Sequence, residues 1–259
     1  MRRFLISISL VVAALLGAGI AHGELEQSGN IRLQIQGGFQ PHTLPRTRPV
    51  PVTASLEAAI STVDGSRPPQ LKRISFAVNR HGHISVKGLP TCAPSLLEAT
   101  TTEEAMARCG DARVGHGRFG ANVDFPNRPP LPVEGNMVAF NAIVDGRPAI
   151  LLHIYGSRPV QATFVLTFKI THEKKGDFGT VLTTVIPKIA SDFGYVTDVN
   201  LTFGRRYKFN GKAMSFLSAS CKAPAGFPGA LFPFVRTSFG FATGRQLTTT
   251  LARNCNVRR

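Results

Sequence analysis

Residues 114–120, VGHGRFG, contain the spacing Gly115-x-Gly117-x-x-Gly120, which is typical of loops that bind the pyrophosphate of a dinucleotide. Such a loop follows a strand and opens a helix, so that the phosphates lie at the helix N-terminus. The next residues, 121–132, read ANVDFPNRPPLP, and their prolines exclude a helix. We therefore predict no nucleotide cofactor and interpret the three glycines as part of a bent or bulged strand.

Histidines are the second group of residues that could do chemistry. His81 and His83 flank Gly82, and in a strand this spacing would place both rings on one face, where His116 or His153 could complete a metal site. Histidines in turns are more often solvated polar groups, so we predict no metal site. His153 lies in the apolar run AILLHIYG, which favours a satisfied, semi-buried histidine over a general base.

Paired carboxylates are needed for glycoside hydrolysis. The candidates outside the helix and the N-terminal stretch are Asp124, Glu134, Asp145, Asp192 and Asp198. Asp145 is explained by a turn, and the others show no pairing at strand spacing. We predict no catalytic residue, and the alternative is a secreted hydrolase whose histidines and aspartates meet only in three dimensions.

Charge points to a different class of function. The chain has 30 Lys and Arg against 15 Asp and Glu, a formal net charge of +15, which indicates attraction to polyanions. A solvated basic surface that only aids solubility is the equal alternative, because most of the basic residues are scattered outside a few small clusters. The clusters supply the predicted polyanion-binding residues, which are Lys174, Lys175, Arg205, Arg206, Lys208, Arg258 and Arg259. The chain has no Trp and 3 Tyr against 18 Phe, which places its aromatics in a core rather than on a sugar-binding or nucleic-acid-binding surface.

The N-terminus predicts export. Arg2 and Arg3 precede an apolar run at 4–20, and small residues at Ala21 and Gly23 form a cleavage site, so residues 1–23 read as a signal peptide. An uncleaved anchor is the alternative. We expect a mature protein that is secreted or lies at the cell-envelope exterior or in the periplasm, with no transmembrane segment in the mature chain.

An oxidising compartment favours disulfides over free thiols. Four cysteines allow three pairings, and we predict the sequence-local pairs Cys92–Cys109 and Cys221–Cys255. A four-cysteine zinc site is the alternative, but the chain lacks the closely spaced C-x-x-C pairs that such sites use.

The elements that position these residues are mostly strands. From Leu71 onward, β-like runs are joined by predicted turns at 80–82, 145–146, 210–211 and Gly244. The segment TTTEEAMARC predicts one helix, with Thr100 or Thr101 as N-cap, Glu103 or Glu104 three residues on, and an end near Cys109.

These patterns predict an all-β fold, an antiparallel β-sandwich with one short helix and two disulfides. We expect a single domain in which a proline-rich stretch at 24–69 contributes edge strands, at 31–36 and 50–60, that pack on an antiparallel β domain at 70–259.

Three strings carry a resemblance to a known family: FAVNRHGHIS at 76–85, GLPTC at 88–92 with TTEEAMARC at 101–109, and SFLSASCKAPAGF at 215–227. In this order they resemble a family of uncharacterised secreted actinobacterial proteins across most of the mature chain. The related strings often have Pro where this chain has Lys222. The resemblance implies secretion and a shared fold, and it implies no activity.

We therefore expect a non-enzymatic, envelope-associated or extracellular binding module without a cofactor. Its expected partner is an anionic envelope polymer or lipid surface, not nucleic acid. The alternatives are the secreted hydrolase and a structural surface component.

Overall fold

The computed structural model describes residues 23–158, 161–188 and 193–258. The predicted signal peptide therefore lies outside the described residues except for Gly23. No helix among the described residues is long and apolar enough to cross a membrane.

The described residues form eighteen strands and one α-helix. The strands are β1 (Glu24–Ser28), β2 (Ile31–Gln40), β3 (Thr43–Leu44), β4 (Val50–Pro51), β5 (Thr53–Thr62), β6 (Leu71–Asn79), β7 (Gly82–Ile84), β8 (Arg113–Val123), β9 (Leu131–Val144), β10 (Arg147–Arg158), β11 (Ala162–His172), β12 (Phe178–Val185), β13 (Gly194–Phe203), β14 (Arg206–Phe209), β15 (Lys212–Ser215), β16 (Leu217–Ala219), β17 (Gly229–Phe241) and β18 (Gln246–Val257). The helix, α1, spans Thr102–Cys109.

Thirteen strands form one sheet in the order β1-β2-β5-β13-β8-β9-β10-β11-β12-β6-β17-β18-β3. Its pairs are antiparallel except β18 with β3. The two edges of the sheet lie close together. Arg253 of β18 forms an ion pair with Glu24 of β1 (Nη1 to Oε1 3.1 Å). Its Nε donates a hydrogen bond to the carbonyl oxygen of Gly37 in β2. The sheet therefore curls around its apolar face, as twisted sheets of many strands do.

The predicted all-β class, mostly antiparallel, is confirmed. The sequence predicts a sandwich of two sheets, but the strands that face each other across the interior belong to one 13-stranded sheet. Its opposite halves take the place of the two layers. Leu56 of β5 and Phe76 of β6, which lie far apart in the strand order, line the same cavity.

The two ends of the curled sheet differ. At one end β6 finishes at Asn79 and β12 begins at Phe178, and a small sheet of order β4-β16-β7 covers the interior. We call this the capped end. At the other, which we call the open end, β8 finishes at Val123 and β9 begins at Leu131.

Three predicted hairpin turns are confirmed. Asp145 and Gly146 join β9 to β10, Asn210 and Gly211 join β14 to β15, and both residues of each pair have positive φ. Gly244, at φ 78°, lies in the turn between β17 and β18.

The turn predicted at residues 80–82 does not close a hairpin. β7 pairs with β16 instead of β6. The physical reason is that both edges of β6 are already occupied, one by β12 and the other by β17. The chain therefore leaves the main sheet after Asn79 and enters the sheet that covers the capped end.

The N-terminal stretch is more central than the sequence predicts. β1 lies at the sheet edge, but β2 pairs with both β1 and β5, and β5 pairs with both β2 and β13. The edge position expected for the segments at 31–36 and 50–60 is therefore wrong for β2 and β5. Their ladders are unbroken because Pro41, Pro45 and Pro49 fall in connections and Pro51 falls in β4.

The helix and the first disulfide form a layer on the outer face of β9 and β10. Thr101 is the N-cap of α1 and completes a capping box with Glu104, as predicted. The Cys92–Cys109 disulfide closes the segment that carries the helix. Beneath it, Leu97, Phe140 and Leu151 are fully buried in a second, smaller core.

The second predicted disulfide, Cys221–Cys255, is also formed. Cys221 lies two residues after the end of β16, and Cys255 lies in β18. The bond therefore ties the small sheet of the capped end to the main sheet.

The glycines of the 114–120 string confirm a bulged strand that follows α1. The register of β8 shifts between Arg113 and Gly115. A Cβ at Gly115 would lie 2.7 Å from the carbonyl oxygen of Thr202, and one at Gly117 would collide with the carbonyl of Asn200. These glycines are needed because β13 approaches β8 too closely for a side chain.

Candidate ligand-binding cavity

The interior of the curled sheet holds a cavity of about 410 Å³. Leu56 and Leu201 line it from the β5–β13 half of the sheet, and Phe76 and Phe168 line it from the β6 and β11 side. Its volume falls in the range of about 300–1,000 Å³ that is typical of small-molecule sites.

The alternation of the strands makes this lining. Along β5, Leu56, Ala58 and Ile60 face the cavity. Glu57, between them, faces outward and accepts a hydrogen bond from Asn200 at 2.7 Å and another from Gln36. Successive side chains of a strand point to opposite faces, so one apolar residue in two is enough to line the interior.

Every described residue that lines the cavity is apolar or glycine, so the described part of the lining contains no charged, hydroxyl or amide side chain. Backbone groups of the surrounding strands are paired in the sheet. The cavity can therefore offer dispersion contacts and burial, but no side-chain hydrogen bonds.

An apolar cavity that no group fills costs free energy, because the side chains that line it lose dispersion contacts. Ordered water needs two to four polar partners, which these side chains do not provide. The chemistry of the lining thus fits an apolar occupant.

The apolar interior continues toward the capped end. A smaller cavity of about 110 Å³ shares Leu56, Phe76 and Leu201 with the larger one. Its far wall is formed by residues of the small sheet, including Ile84 and Leu217. An elongated apolar group in the large cavity would therefore point toward a mainly apolar space beneath the small sheet.

At the open end the cavity reaches the surface. Phe125 and Leu131 line the cavity and are also 46% and 38% exposed. The ring of Phe193, 41% exposed, stacks on Phe125 with centroids 6.4 Å apart. The open end therefore joins the interior to an exposed apolar surface.

The basic residues predicted from the sequence lie at the capped end, away from this mouth. Lys174 and Lys175 are exposed in the β11–β12 connection, Arg206 and Lys208 are exposed on β14, and Arg258 is exposed after β18. These elements are distributed around the rim of the sheet. Arg259 lies outside the described residues.

Arg205 differs from its neighbours, because its guanidinium is bound within the protein. Nη1 donates to the carbonyl oxygens of Arg113 at 2.9 Å and Gly110 at 3.3 Å. It supports the start of β8 and is a poorer candidate for a polyanion contact than Arg206.

The residues of the hydrolase alternative are dispersed. His81 and His83 lie at the capped end, whereas Asp124 lies at the open end, 3.7 Å from Arg67. His116 is exposed on the outer face, and Asp192 lies outside the described residues. In the described part of the chain no group of three or more His, Cys, Asp or Glu could hold a metal ion. This arrangement gives the hydrolase alternative no support.

The remaining carboxylates of that alternative have local roles. Glu134 lies 3.7 Å from Arg118, and Asp198 accepts a hydrogen bond from Thr197 at 2.8 Å. Asp145 lies in the β9–β10 turn, as predicted.

His153 is fully buried between β10 and the helical layer. Its Nε2 lies 3.0 Å from Thr100 Oγ1 and 3.1 Å from the Thr100 carbonyl oxygen, while its Nδ1 has no partner. Burial lowers the pKa of His153 below its usual value of 6.5, because the charged imidazolium is poorly solvated there. The ring is held neutral, as a structural group.

This burial predicts a loss of stability in acid. Below pH 6.5 the unfolded chain binds a proton at His153 that the folded chain does not, so the free energy of unfolding falls as pH falls, by up to about 1.4 kcal/mol per pH unit. Urea unfolding between pH 7.5 and pH 5 should show a smaller fall for His153→Gln than for the wild type. The exposed control His116→Gln should keep the full fall, and an equal fall in all three proteins would contradict this role of His153.

Comparison with protein-family models, with curated proteins and with solved structures gives no match to this chain.

Proposed function

We propose that this chain is an extracellular binding module that holds an apolar ligand, such as the acyl chain of a lipid, inside its curled sheet. The observation that carries the proposal is the cavity of about 410 Å³ with an entirely apolar lining and an exposed mouth. The disulfides Cys92–Cys109 and Cys221–Cys255, the basic signal-like N-terminus and the resemblance to secreted proteins support export.

The lining selects the chemical class of the ligand. A carbohydrate or a nucleotide would leave its hydroxyls or phosphates unpaired against Leu56, Phe76 and Leu201, at a cost of about 1–3 kcal/mol for each buried polar group. A hydrocarbon chain has no polar group to leave unpaired, and burial of each methylene contributes roughly 0.8 kcal/mol of favourable binding free energy. A polar head would remain at the open end, in contact with water.

The direct test is a titration with N-phenyl-1-naphthylamine, a fluorescent apolar probe, in the absence of lipid. All described elements begin at or after Glu24, so the chain 24–259 is used, oxidised at its four cysteines. We expect saturable binding that palmitate displaces. A probe that does not bind, or that palmitate leaves in place, would refute the proposal.

The capped end supports a second function, adhesion to an anionic envelope polymer. Lys174, Lys175, Arg206, Lys208 and Arg258 are exposed there, and screened attraction would make their binding fall with salt.

Co-sedimentation with isolated cell envelopes across a salt series tests this second function. Arg206→Glu with Lys208→Glu should reduce the bound fraction by about fivefold or more at low salt, since each basic residue near an anionic surface contributes about 1 kcal/mol. Lys169→Glu, at an exposed position of β11 outside the predicted polyanion-binding residues, is the control. Binding that neither salt nor the double reversal lowers would show that this basic surface is not used.

A further inference from the structure

The open end carries exposed apolar side chains in an unusual position. Phe125 and Phe193 form a stacked pair, and both rings are more than two-fifths exposed. Leu131, at the start of β9, and Val185, at the end of β12, are 38% and 63% exposed at the same end. Ile143, Phe227 and Leu231 are exposed at the capped end, but they do not line the cavity. Exposed apolar side chains that adjoin a cavity mark a contact with a partner or a membrane more often than a solvated surface.

This apolar surface is continuous with the cavity. Phe125 has one part in the cavity lining and another in contact with solvent, and Leu131 does the same. An apolar ligand that entered from water would have to be dissolved there first, which is strongly unfavourable for a hydrocarbon chain. Contact between this end and a bilayer would remove that step.

The loop that carries Phe125 also carries a positive charge. Asn127, at φ 61°, forms a turn in which the Arg128 backbone N–H donates to the Phe125 carbonyl at 3.2 Å. Arg128 and Arg158, at the end of β10, are exposed and form no ion pair with the residues that the structure describes.

The acidic residues that the structure describes at this end interact with other groups. Asp124 lies 3.7 Å from Arg67, and Asp64 accepts hydrogen bonds from the side chain of Asn30 and the backbone of Ser66. Glu134, the cross-strand partner of Arg158, lies 3.7 Å from Arg118. Exposed apolar side chains beside an exposed arginine match the two layers of an anionic bilayer surface, which are the acyl chains and the phosphate headgroups.

We infer that the open end is a lipid-contacting surface, in which Phe125, Phe193 and Leu131 insert into an anionic bilayer while Arg128 binds the headgroups, so that an acyl chain passes directly into the cavity. The inference rests on the proposed function for the identity of the cargo. The surface itself can be tested separately from the cavity, because Phe193 and Arg128 do not line the cavity.

The experiment is co-sedimentation of the chain 24–259 with vesicles of phosphatidylcholine alone or with added phosphatidylglycerol. We expect stronger binding to the anionic vesicles. Phe193→Ser should lower the partition coefficient by about tenfold or more, since a membrane-inserted phenylalanine buries its ring. Arg128→Glu should lower it by about fivefold or more, and only for anionic vesicles. Both variants should still bind N-phenyl-1-naphthylamine.

The matched controls lie at the capped end. Phe227 is 61% exposed and serves as an exposed phenylalanine away from the open end. Arg147, exposed at the start of β10, serves as an exposed arginine outside the predicted polyanion-binding residues. Phe227→Ser and Arg147→Glu should bind vesicles like the wild type. A loss of binding in these two but not in Phe193→Ser and Arg128→Glu would overturn the inference, because the capped end would then face the lipid.

Two further results would also decide the matter. Wild-type protein that binds the probe but no vesicles would overturn the lipid-contacting surface and leave the proposed function intact. Protein that binds no probe in the absence of lipid would refute the proposed function instead, whatever its behaviour toward vesicles.

Discussion

Replacing Ala58 by leucine is expected to weaken binding of N-phenyl-1-naphthylamine by more than about tenfold. Ala58 is buried and points into the cavity from β5, so a larger side chain takes the volume that the probe would occupy. The matched control is Ala59→Leu on the same strand, because Ala59 is exposed and points to the outer face. Ala121→Phe, which enters the cavity from β8, should block the probe in the same way.

Ala58→Leu should also stabilise the protein in the absence of ligand. The new leucine side chain fills apolar space that is otherwise unoccupied, so Ala58→Leu should raise the free energy of unfolding by about 2 kcal/mol without ligand. Palmitate should stabilise the wild type by about 2.7 kcal/mol at a hundred times its Kd, and should stabilise Ala58→Leu much less. Unchanged probe binding by Ala58→Leu, or an equal effect of Ala59→Leu, would contradict the position of the ligand.

Removing the Cys221–Cys255 disulfide is expected to have the largest effect on stability. The bond spans 34 residues, and the entropy of closing such a loop corresponds to about 3.8 kcal/mol. The paired variant Cys221→Ala with Cys255→Ala should therefore unfold at a clearly lower urea concentration. It should also lose probe affinity, because the small sheet that closes the capped end is no longer tied to β18.

The other disulfide provides the control for this experiment. Cys92–Cys109 spans 17 residues, so Cys92→Ala with Cys109→Ala should cost about 3.1 kcal/mol. It lies on the outer face of β9 and β10, away from the cavity, so probe affinity should be nearly unchanged. Probe binding that depends on Cys92–Cys109 and not on Cys221–Cys255 would show that the capped end does not shape the cavity.

The parts of the fold that could be predicted are those fixed by local chemistry. Asp145-Gly146 and Asn210-Gly211 require positive φ and so indicate their hairpins. Thr101 and Glu104 define the start of α1 because their side chains and backbones satisfy each other over three residues. Each of these signals involves neighbours in sequence.

The path of the chain around residues 80–84 depends on distant residues. The local pattern favours a hairpin, but β12 and β17, which start about 100 or more residues later, occupy both edges of β6. The same applies to β2 and β5, whose interior positions depend on the pairing of β5 with β13. The pattern of residues within one strand does not predict which later strand will pair with it.

The cavity could not be predicted from the sequence for a related reason. Alternating apolar residues look the same whether the interior they face is filled or hollow, and the eighteen phenylalanines were interpreted as core. Phe76 and Phe119 do pack against the core, and they also line the cavity together with Phe164. The sequence feature that indicates a cavity is the presence of small residues at inward positions of the strands, such as Ala58 and Ala121. These residues leave space that larger side chains would fill.

The most direct measurement is a crystal structure of the chain 24–259 with a bromine-labelled fatty acid. We expect an anomalous bromine peak inside the curled sheet, among Leu56, Phe76 and Leu201, with the carboxylate toward Phe125 at the open end. A bromine site outside the sheet, or an interior filled by the protein's own side chains, would contradict a ligand-binding cavity.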